Sequence, residues 1–306
     1  MAVDSQVFVI AGPTASGKTS VAIDLAQKLG GEIISADARQ IYRFMDIGTA
    51  KPTAEEQASA RHHLIDVVDP DAHYSAGQFA EDAAEVVRDI LQRGKLPIVV
   101  GGAGLYIRAL LDGFSPMPEI PLEIRERLQV EAKQNLQGAY ERLCSIDPEW
   151  AKKVQPGDVQ RIVRGLEVFE ASGVKLSDHQ KLPPNPPGDW SSSWFAIKWD
   201  REVLYDRINK RALQMIDDGL VAEAEGLIEK GYTPDLNALR TFGYREFFAF
   251  LAGDVTLEDA VVELQQGTRR YAKRQLTWFR REKRIHWISA EEQDPVERIL
   301  KRLEKA

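Results

Sequence analysis

The segment Gly12-Pro13-Thr14-Ala15-Ser16-Gly17-Lys18-Thr19 constrains the fold of this chain more than any other. It matches the pattern G-x-x-x-x-G-K-[ST], follows the apolar run Val7–Ile10 and precedes a stretch with helical apolar spacing. Glycines let backbone N–H groups approach an anion, and a helix start adds unpaired donors. Lys18 supplies a charge for the outer phosphate oxygens, and Thr19 offers a hydroxyl to a phosphate-bound Mg²⁺. We therefore predict that these eight residues bind phosphate groups, with an ordinary turn as the alternative.

Length and composition set the broad class. A chain of 306 residues has room for one large or two medium domains, and 43% apolar with 28% charged residues is typical of a globular protein. The net charge of −7 argues against general nucleic-acid binding, although net charge hides local patches. The single cysteine, Cys144, permits no intrachain disulfide and favours a reducing compartment. We see no signal peptide and no apolar run near the ~18 residues of a membrane span, so we expect a cytoplasmic protein without membrane attachment.

The order of elements predicts an α/β fold. Strands are expected at 32–36, 96–100, 194–197 and 285–288, with helices between the early ones, which favours a parallel sheet flanked by helices. From Phe114 to about Trp190 no strand is predicted, and the proline-rich Leu182–Gly188 reads as a stiff linker. We therefore expect a core over 1–113, a mostly helical insertion over 114–190, and the rest of the core over 191–306 with a basic C-terminal helix.

Two features follow predicted strands. Asp37 lies where the second strand should end, so its carboxylate can face the phosphate site and accept a proton from a substrate. A turn or helix cap is an equal alternative for Asp37. Gly101–Tyr106 is a glycine-rich strand-to-helix turn that can bring backbone close to a ligand, with simple turn geometry as its alternative.

Two other segments favour structural roles. Asp46–Pro52 is rich in turn residues and contains Lys51, and taken alone it reads as an ordinary loop. In Arg61-His62-His63 the histidines point in different directions, and no cysteine or third histidine lies at metal-ligand spacing, so we expect no zinc site.

Cations cluster in three places. Arg161 and Arg164 share one face of a predicted helix. The segment 268–284 carries eight cations and one anion, and its Arg270, Arg274, Arg281 and Arg284 are predicted to line one side of a helix. We favour nucleic acid or polyphosphate as its ligand over a solvated helix face. Arg207 and Arg211 lie four apart on another predicted helix, where surface positions are the default and a grip on a leaving phosphate is the alternative.

Taken in this order, the segments resemble one family, the tRNA dimethylallyltransferases, also called tRNA isopentenyltransferases. The matching segments are Gly12–Thr19, Ile34–Tyr42, Asp46–Pro52, Gly101–Tyr106, Gln160–Val168, Arg207–Met215, Gly243-Tyr244 and Ala272–Trp278. The resemblance implies a P-loop kinase-like core, with a helical insertion that helps to grip the anticodon arm of tRNA.

The resemblance also implies a reaction. The family transfers a dimethylallyl group from dimethylallyl diphosphate to the exocyclic amine of the adenine just 3′ of the anticodon. By this resemblance Asp37 is the general base, Lys18 and Thr19 bind the diphosphate with Mg²⁺ as cofactor, and Arg211 stabilises the departing pyrophosphate.

The expected tRNA contacts combine the segments that the resemblance points to with the basic stripe. They are Asp37, Ala38, Arg39, Gln40, Ala103, Gln160, Arg161, Ile162, Val163, Arg164, Arg270, Lys273 and Arg274. We expect a monomer whose partners are tRNA and dimethylallyl diphosphate.

The chain departs from the family pattern at three positions. Ala38 stands where the family usually has serine, Ala103 where it has threonine, and Gly157 where it has asparagine. Each change removes a polar contact and leaves the charged groups in place, so we expect altered tRNA contacts with the chemistry retained.

Other functions are compatible with a phosphate loop. The main alternative is a P-loop kinase that transfers a phosphoryl group from ATP to a small metabolite, which has no need of the basic helix or the helical insertion. A non-catalytic RNA-binding module fits poorly with an intact Lys18, Thr19 and Asp37. A cytokinin-type adenylate prenyltransferase is a close relative that would modify free nucleotides.

Overall fold

In the computed structural model, which describes residues 6–291 and 294–303, one sheet of six parallel strands organises the core. The strand order is β3-β2-β4-β1-β5-β6. The strands are β1 Gln6–Ala11, β2 Gly31–Ser35, β3 His62–His63, β4 Leu96–Gly101, β5 Ser191–Lys198 and β6 Ile285–Ser289. The α/β prediction and its strands are confirmed, while β3 was missed because two residues carry no detectable pattern.

Helices follow the strands along the chain. They are α1 Lys18–Leu29, α2 Ala54–Ser59, α3 Ala76–Gln92, α4 Gly104–Asp112, α5 Leu122–Gln134, α6 Leu136–Ile146, α7 Pro148–Ala151, α8 Val159–Ser172, α9 Leu176–His179, α10 Arg201–Asp217, α11 Leu220–Glu229, α12 Arg245–Leu251, α13 Leu257–Phe279 and α14 Pro295–Leu303. Among the described residues, no helix combines the length and the apolar character that crossing a membrane requires.

Alternation along β1 shows why the sheet is covered on both faces. Val7 and Val9 point into one hydrophobic core, whereas Phe8 and Ile10 point into a second core that contains α1. All four side chains are at most 5% exposed. A strand buried on both faces reads as a continuous apolar run, which is how β1 was recognised.

The chain divides into two compact units. One unit comprises Met1–Leu111 and Pro187–Ala306, and the other is Asp112–Pro186; the sequence-based boundaries were 114 and 190. The second unit contains α5 to α9 around its own core, which includes Leu128, Leu143 and Ile162. Within its described residues the only β pairing is an isolated antiparallel bridge between Phe114 and Asn185.

A buried carboxylate ties the start of the sheet together. Glu32 on β2 is 1% exposed, and it accepts hydrogen bonds from Arg93 and Lys95 and pairs with His63 Nε2 at 2.8 Å. The Arg93 guanidinium, the largest cause, holds the pKa of Glu32 well below its usual range. His63 is therefore part of an ion cluster, while the Nδ1 of its neighbour His62 lies 2.7 Å from the Ala60 carbonyl oxygen.

The carboxyl ends of β1, β2, β4 and β5 lie at the same edge of the sheet, because all the strands are parallel. The glycine-rich loop follows β1, Asp37 follows β2, the glycine turn follows β4, and Trp199 follows β5. Ligands of open α/β sheets bind at this edge, so the topology brings the residues selected from the sequence together.

Candidate active site

The loop between β1 and α1 forms a cradle of backbone groups. Gly12 and Gly17 have φ angles of 148° and 86°, and Ala15 is left-handed at 61°. At Gly12 a Cβ atom would lie 2.9 Å from Ser16 Oγ, so a larger residue would strain the loop. Among the described residues no side chain caps α1, whose first N–H groups belong to Lys18 and Thr19. These unpaired donors, together with the positive end of the helix dipole, favour a bound anion.

Not all eight loop residues present an N–H group to a ligand. The Thr14 N–H donates to Gln275 Oε1 at 2.9 Å, the Ser16 N–H donates to the Pro13 carbonyl at 3.3 Å, and Pro13 has no N–H. The N–H groups of Thr14 and Ser16 therefore shape the loop, and those of Ala15, Gly17, Lys18 and Thr19 are left to face a phosphate.

Lys18 supplies a charge that the protein itself neutralises only weakly. Its Nζ lies 3.5 Å from the Pro13 carbonyl oxygen, within a cavity that also contains Asp37 and Arg211. Burial lowers the pKa of Lys18 from 10.5 to about 8; the Asp37 carboxylate opposes this shift and the Arg211 guanidinium adds to it. An anion bound in the cavity would restore the pKa, so Lys18 is suited to hold a phosphate group.

Two side chains outside the loop bind its carbonyl groups. Trp199 Nε1 donates to the Ser16 carbonyl at 2.8 Å, and Arg207 Nε donates to the Ala15 carbonyl at 2.9 Å. The Arg207 guanidinium lies 4.4 Å from the Trp199 ring centroid, which is a cation–π contact. Of the two arginines singled out on α10, Arg207 therefore holds the loop, and Arg211 lines the cavity.

The cavity next to the cradle has a volume of about 390 Å³. Its lining includes the polar groups Lys18, Thr19, Asp37 and Arg211. The lining of the cavity also includes one stripe from α10 and one from α13, at spacings of three and four residues. These stripes are Ile208, Arg211, Ala212 and Met215 on α10, and Leu264, Thr268, Tyr271 and Gln275 on α13. The lining therefore combines cations, which suit an anionic group, with the apolar side chains of Ile208, Ala212, Met215 and Leu264.

Asp37 caps a turn, as one of its two interpretations required. Its Oδ1 accepts hydrogen bonds from the backbone N–H groups of Arg39 at 2.9 Å and Gln40 at 3.4 Å. These bonds fix the carboxylate at the cavity wall, and within the described residues no hydrogen bond is made to its Oδ2. The role as a base is compatible with the cap and stays a prediction.

The loop after β2 is held by side chains that the sequence did not single out. Glu223 on α11 accepts from the backbone N–H groups of Asp46, Ile47 and Gly48 at 2.8–3.0 Å and from Tyr244 Oη at 2.6 Å. The lysine of this loop is a structural group, as the ordinary-loop interpretation predicted. Lys51 is 9% exposed, and its Nζ binds Asp46 Oδ1 at 2.5 Å and Asp66 Oδ1 at 2.6 Å.

Two expected tRNA contacts next to Asp37 are engaged within the protein. Arg39 Nη1 donates to the Asn237 carbonyl at 2.8 Å, and Gln40 Nε2 donates to the Ala50 carbonyl at 3.0 Å. Both side chains, together with Ala38, nevertheless line the cavity.

The glycine turn after β4 makes room for protein atoms. A Cβ at Gly101 would lie 1.9 Å from the Ala36 carbonyl oxygen, and one at Gly102 would lie 2.0 Å from Gln275 Nε2. These glycines therefore allow β2, β4 and α13 to pack closely, a reason that neither interpretation had named. Ala103, an expected tRNA contact, is half-buried, and its N–H donates to the Ala36 carbonyl at 3.2 Å.

The basic helix is shorter than predicted. Because α13 ends at Phe279, Arg281 and Arg284 do not share a helix face with Arg270 and Arg274, and that part of the prediction is wrong. The chain turns there and enters β6, and Arg284 forms an ion pair with Glu282. The exposed cations that share one face of α13 are Arg270, Lys273 and Arg274.

The arginines on α8 belong to the insertion unit. Arg161 pairs with Asp158 at 3.1 Å, and Arg164 pairs with Glu167 at 2.7 Å. Ile162 and Val163 are buried in the core of that unit, so their side chains cannot contact RNA. The exposed members of this segment, Gln160 and Arg161, remain candidate contacts.

Gln275 is the functional residue that sequence reasoning missed. It is 5% exposed, and it links the cradle to the glycine turn by accepting from Thr14 N–H and donating to the Gly102 carbonyl at 3.1 Å. The available signal was its spacing, four residues after the cavity position Tyr271 and seven after Thr268, which places it on the same face of α13. A neutral amide has no residue-type signature of a phosphate site.

We expect diphosphate affinity to fall as the pH rises above about 8. Below that pH the Lys18 ammonium is already charged, whereas above it each binding event must take up a proton, which weakens binding by about tenfold per pH unit. Calorimetry at pH 7, 8 and 9 in buffers of different ionisation enthalpy measures the dissociation constant and the number of protons taken up on binding.

Lys18→Arg is the control for the titration of the ligand itself, because a guanidinium stays charged over this range. If wild type and this variant show the same pH dependence, Lys18 is not the titrating group.

Removing the Gln275 side chain should weaken diphosphate binding. Gln275→Ala leaves the Thr14 N–H and the Gly102 carbonyl without partners, which costs about 1–3 kcal/mol per buried group. We expect a dissociation constant for inorganic diphosphate at least tenfold higher, measured by calorimetry. Gln266→Ala, at an exposed position of the same helix, should change neither affinity nor stability. Unchanged affinity in Gln275→Ala would limit this residue to a role in folding.

Comparisons with known proteins agree with this geometry. The model of the family described as IPP transferase matches residues 40–282. The chain is 46% identical over 285 residues to tRNA dimethylallyltransferase 1 of Syntrophotalea carbinolica, covering 93% of this chain and 91% of that protein.

Two solved structures share the fold. The full-length tRNA isopentenylpyrophosphate transferase from Bacillus halodurans superposes with a TM-score of 0.73 at 36% identity, covering 99% of this chain and 96% of that one. A eukaryotic dimethylallyltransferase acting on tRNA gives a TM-score of 0.81 at 28% identity, covering 94% of this chain and 75% of that one. With a family match over most of its length and a relative this similar, the chain belongs to the IPP transferase family, that of the tRNA dimethylallyltransferases.

Proposed function

We propose that the protein transfers a dimethylallyl group from dimethylallyl diphosphate to the exocyclic N6 of the adenine 3′-adjacent to the anticodon in tRNA, releasing diphosphate. The observation that carries the proposal is the cavity of about 390 Å³, which joins a phosphate cradle to an apolar stripe beside a basic helix. Membership of the family supports the same reaction. A cytoplasmic, monomeric enzyme is the form in which we expect it to act on tRNA.

The polarity of the cavity fits an isoprenoid diphosphate. Ile208, Ala212, Met215 and Leu264 supply an apolar surface, whereas Lys18 and Arg211 supply positive charge at the cradle. Burial lowers the pKa of Arg211, as it does that of Lys18, so both cations gain from a bound anion. A five-carbon chain can therefore lie along α10 while its diphosphate faces the start of α1.

In the proposed reaction the adenine N6 attacks the allylic carbon, the bond from that carbon to the diphosphate oxygen breaks, and the N6 proton passes to Asp37. Charge grows on the leaving diphosphate, where Lys18, Arg211 and the N–H groups of α1 stabilise it. Because an exocyclic amine is a weak nucleophile, holding it in line with the allylic carbon is a large part of the rate enhancement. The adenine must leave its stack to reach the cavity.

Mg²⁺ is proposed as the cofactor. Thr19 lines the cavity beside Lys18, and among the described residues no group of three or more acidic or histidine side chains forms a metal cage. This donor set fits an ion that keeps several waters and binds mainly through phosphate oxygens. When bound, the ion neutralises part of the diphosphate charge.

The tRNA surface is proposed to include the basic face of α13. Arg270, Lys273 and Arg274 are exposed on it, and Arg274 also lines the cavity. The Arg274 guanidinium lies 5.6 Å from the Tyr271 ring centroid and 5.9 Å from that of Phe242. Cations interleaved with aromatic rings suit a phosphate backbone next to an unstacked base.

A direct assay tests the proposal. The purified protein is incubated with Mg²⁺, labelled dimethylallyl diphosphate and total tRNA, and the label is followed onto RNA. A matched incubation with ATP and small metabolites tests for kinase activity, and a third with free adenine nucleotides tests for an adenylate prenyltransferase. Label on tRNA alone supports the proposal, whereas phosphoryl transfer without prenylation contradicts it.

Asp37→Asn separates the two roles of this residue. The asparagine Oδ1 still accepts from the Arg39 and Gln40 N–H groups, so the turn persists, but the side chain no longer takes up a proton. We expect kcat to fall by about 10²- to 10⁴-fold, with tRNA affinity little changed. Asp37→Ala should slow transfer as well.

Asp24→Asn, at an exposed position on α1, is the control for charge removal. Full turnover by Asp37→Asn, measured under single-turnover conditions, would exclude Asp37 as the base.

Arg274→Ala should weaken tRNA binding about tenfold, because a charge-assisted contact to a phosphate is lost. The slope of log affinity against log salt should become shallower by about 0.9, which corresponds to one fewer phosphate contact. Filter binding between 50 and 200 mM salt measures both values, with Lys301→Ala on α14 as the control. An unchanged slope would show that Arg274 touches no phosphate.

A further inference from the structure

A second, much smaller cavity lies beside the cradle. Its volume is about 20 Å³, which is room for one water molecule. It shares four lining residues, Lys18, Thr19, Asp37 and Gln40, with the larger cavity. Its remaining polar lining comes from Ser35 on β2 and His62 on β3. A polar cavity of this size with several donors and acceptors is the kind of site in which proteins hold an ordered water.

One ring nitrogen of His62 lacks a partner. Nδ1 lies 2.7 Å from the Ala60 carbonyl oxygen, which can only accept, so Nδ1 carries the proton. In the neutral ring Nε2 is then an acceptor, and it is buried without a hydrogen-bond partner among the described residues. Burial lowers the pKa of His62, which keeps the ring neutral. Because a buried acceptor without a partner is destabilising, a hydrogen-bond donor held in the adjoining polar cavity would stabilise it.

The position of His62 follows from the sheet. His62 on β3 pairs in register with Ile33 on β2. Ile33 precedes Ser35 by two residues and Asp37 by four, and the side chains of His62, Ser35 and Asp37 all line the small cavity. His63, the next residue, binds the buried Glu32 instead. The two adjacent histidines therefore have different roles: His63 binds the buried Glu32, and His62 lies at the edge of the site.

We propose that His62 is a positioning residue, whose Nε2 accepts a hydrogen bond from one water in the small cavity while that water donates its other hydrogen to the Asp37 carboxylate. This rests on the proposed function of Asp37 as the base. The backbone amides of Arg39 and Gln40 hold Asp37 Oδ1 from one side, and the water would restrain the carboxylate from the other. No proton is transferred to His62, so the ring acts through orientation alone.

The decisive experiment combines a crystal structure with kinetics. In a wild-type crystal at high resolution, we expect an ordered water within about 3.2 Å of His62 Nε2 and of an Asp37 carboxylate oxygen. His62→Leu should lose this water and lower kcat about 10- to 100-fold, while the KM values for dimethylallyl diphosphate and tRNA change little. His62→Gln places an amide oxygen at the same distance along the side chain, so it should restore most of the activity.

His63→Gln is the matched control. It should lower thermal stability, because Glu32 loses a partner, and leave kcat unchanged. His62→Leu should instead lower kcat and leave thermal stability little changed. Absence of the water in wild type, or full turnover by His62→Leu, overturns the proposal. If the wild-type protein transfers no dimethylallyl group, the proposed function fails by itself, and the crystal structure still decides whether His62 and Asp37 share a water.

Discussion

Surrounding protein atoms desolvate the Lys18 ammonium, and this lowers its pKa to about 8. Folding alone does not offset that desolvation, because the partner that Lys18 Nζ donates to is a neutral carbonyl 3.5 Å away. Arg211 adds a second cation to the same cavity. The Asp37 carboxylate opposes the lowering of the Lys18 pKa, and Glu56 together with Asp37 opposes that of the Arg211 pKa. The site is therefore electrostatically incomplete without an anionic ligand. A bound diphosphate would offset the desolvation of both cations at once. Its affinity would therefore depend on positive charges that are already in position before the ligand arrives.

Side chains from distant parts of the sequence hold the backbone around the cavity. Loop carbonyls are bound by Trp199 and Arg207, the Thr14 N–H by Gln275, and the backbone after Asp46 by Glu223. These bonds fix the backbone next to the cavity before a ligand binds. Asp37 is the one carboxylate in the described lining of that cavity, which otherwise carries several cations.

Local patterns predicted much of this arrangement. The cradle, the strands and the ends of α1 follow from spacing and residue type within a few positions. Position alone left Asp37 open between a base and a turn cap and favoured a surface position for Arg211, and the family resemblance assigned both to the site, where both line the cavity. Gln275 lies 261 residues from Thr14, and Glu223 lies 177 from Asp46, so neither bond has a local signature. The error at Arg281 and Arg284 arose because helical spacing was extended past Phe279, where the chain turns toward β6. Glycines at 101 and 102 were open to two interpretations because composition does not say which atoms approach them.

Helix α13 contributes to both proposed binding surfaces. Leu264, Thr268, Tyr271 and Gln275 line the cavity, while Arg270 and Lys273 are exposed on the same helix. Gln275 is also the hydrogen-bond partner of the cradle, because it accepts from the Thr14 N–H and donates to the Gly102 carbonyl. One helix therefore supplies both the amide that holds the cradle and the cations that are proposed to contact RNA.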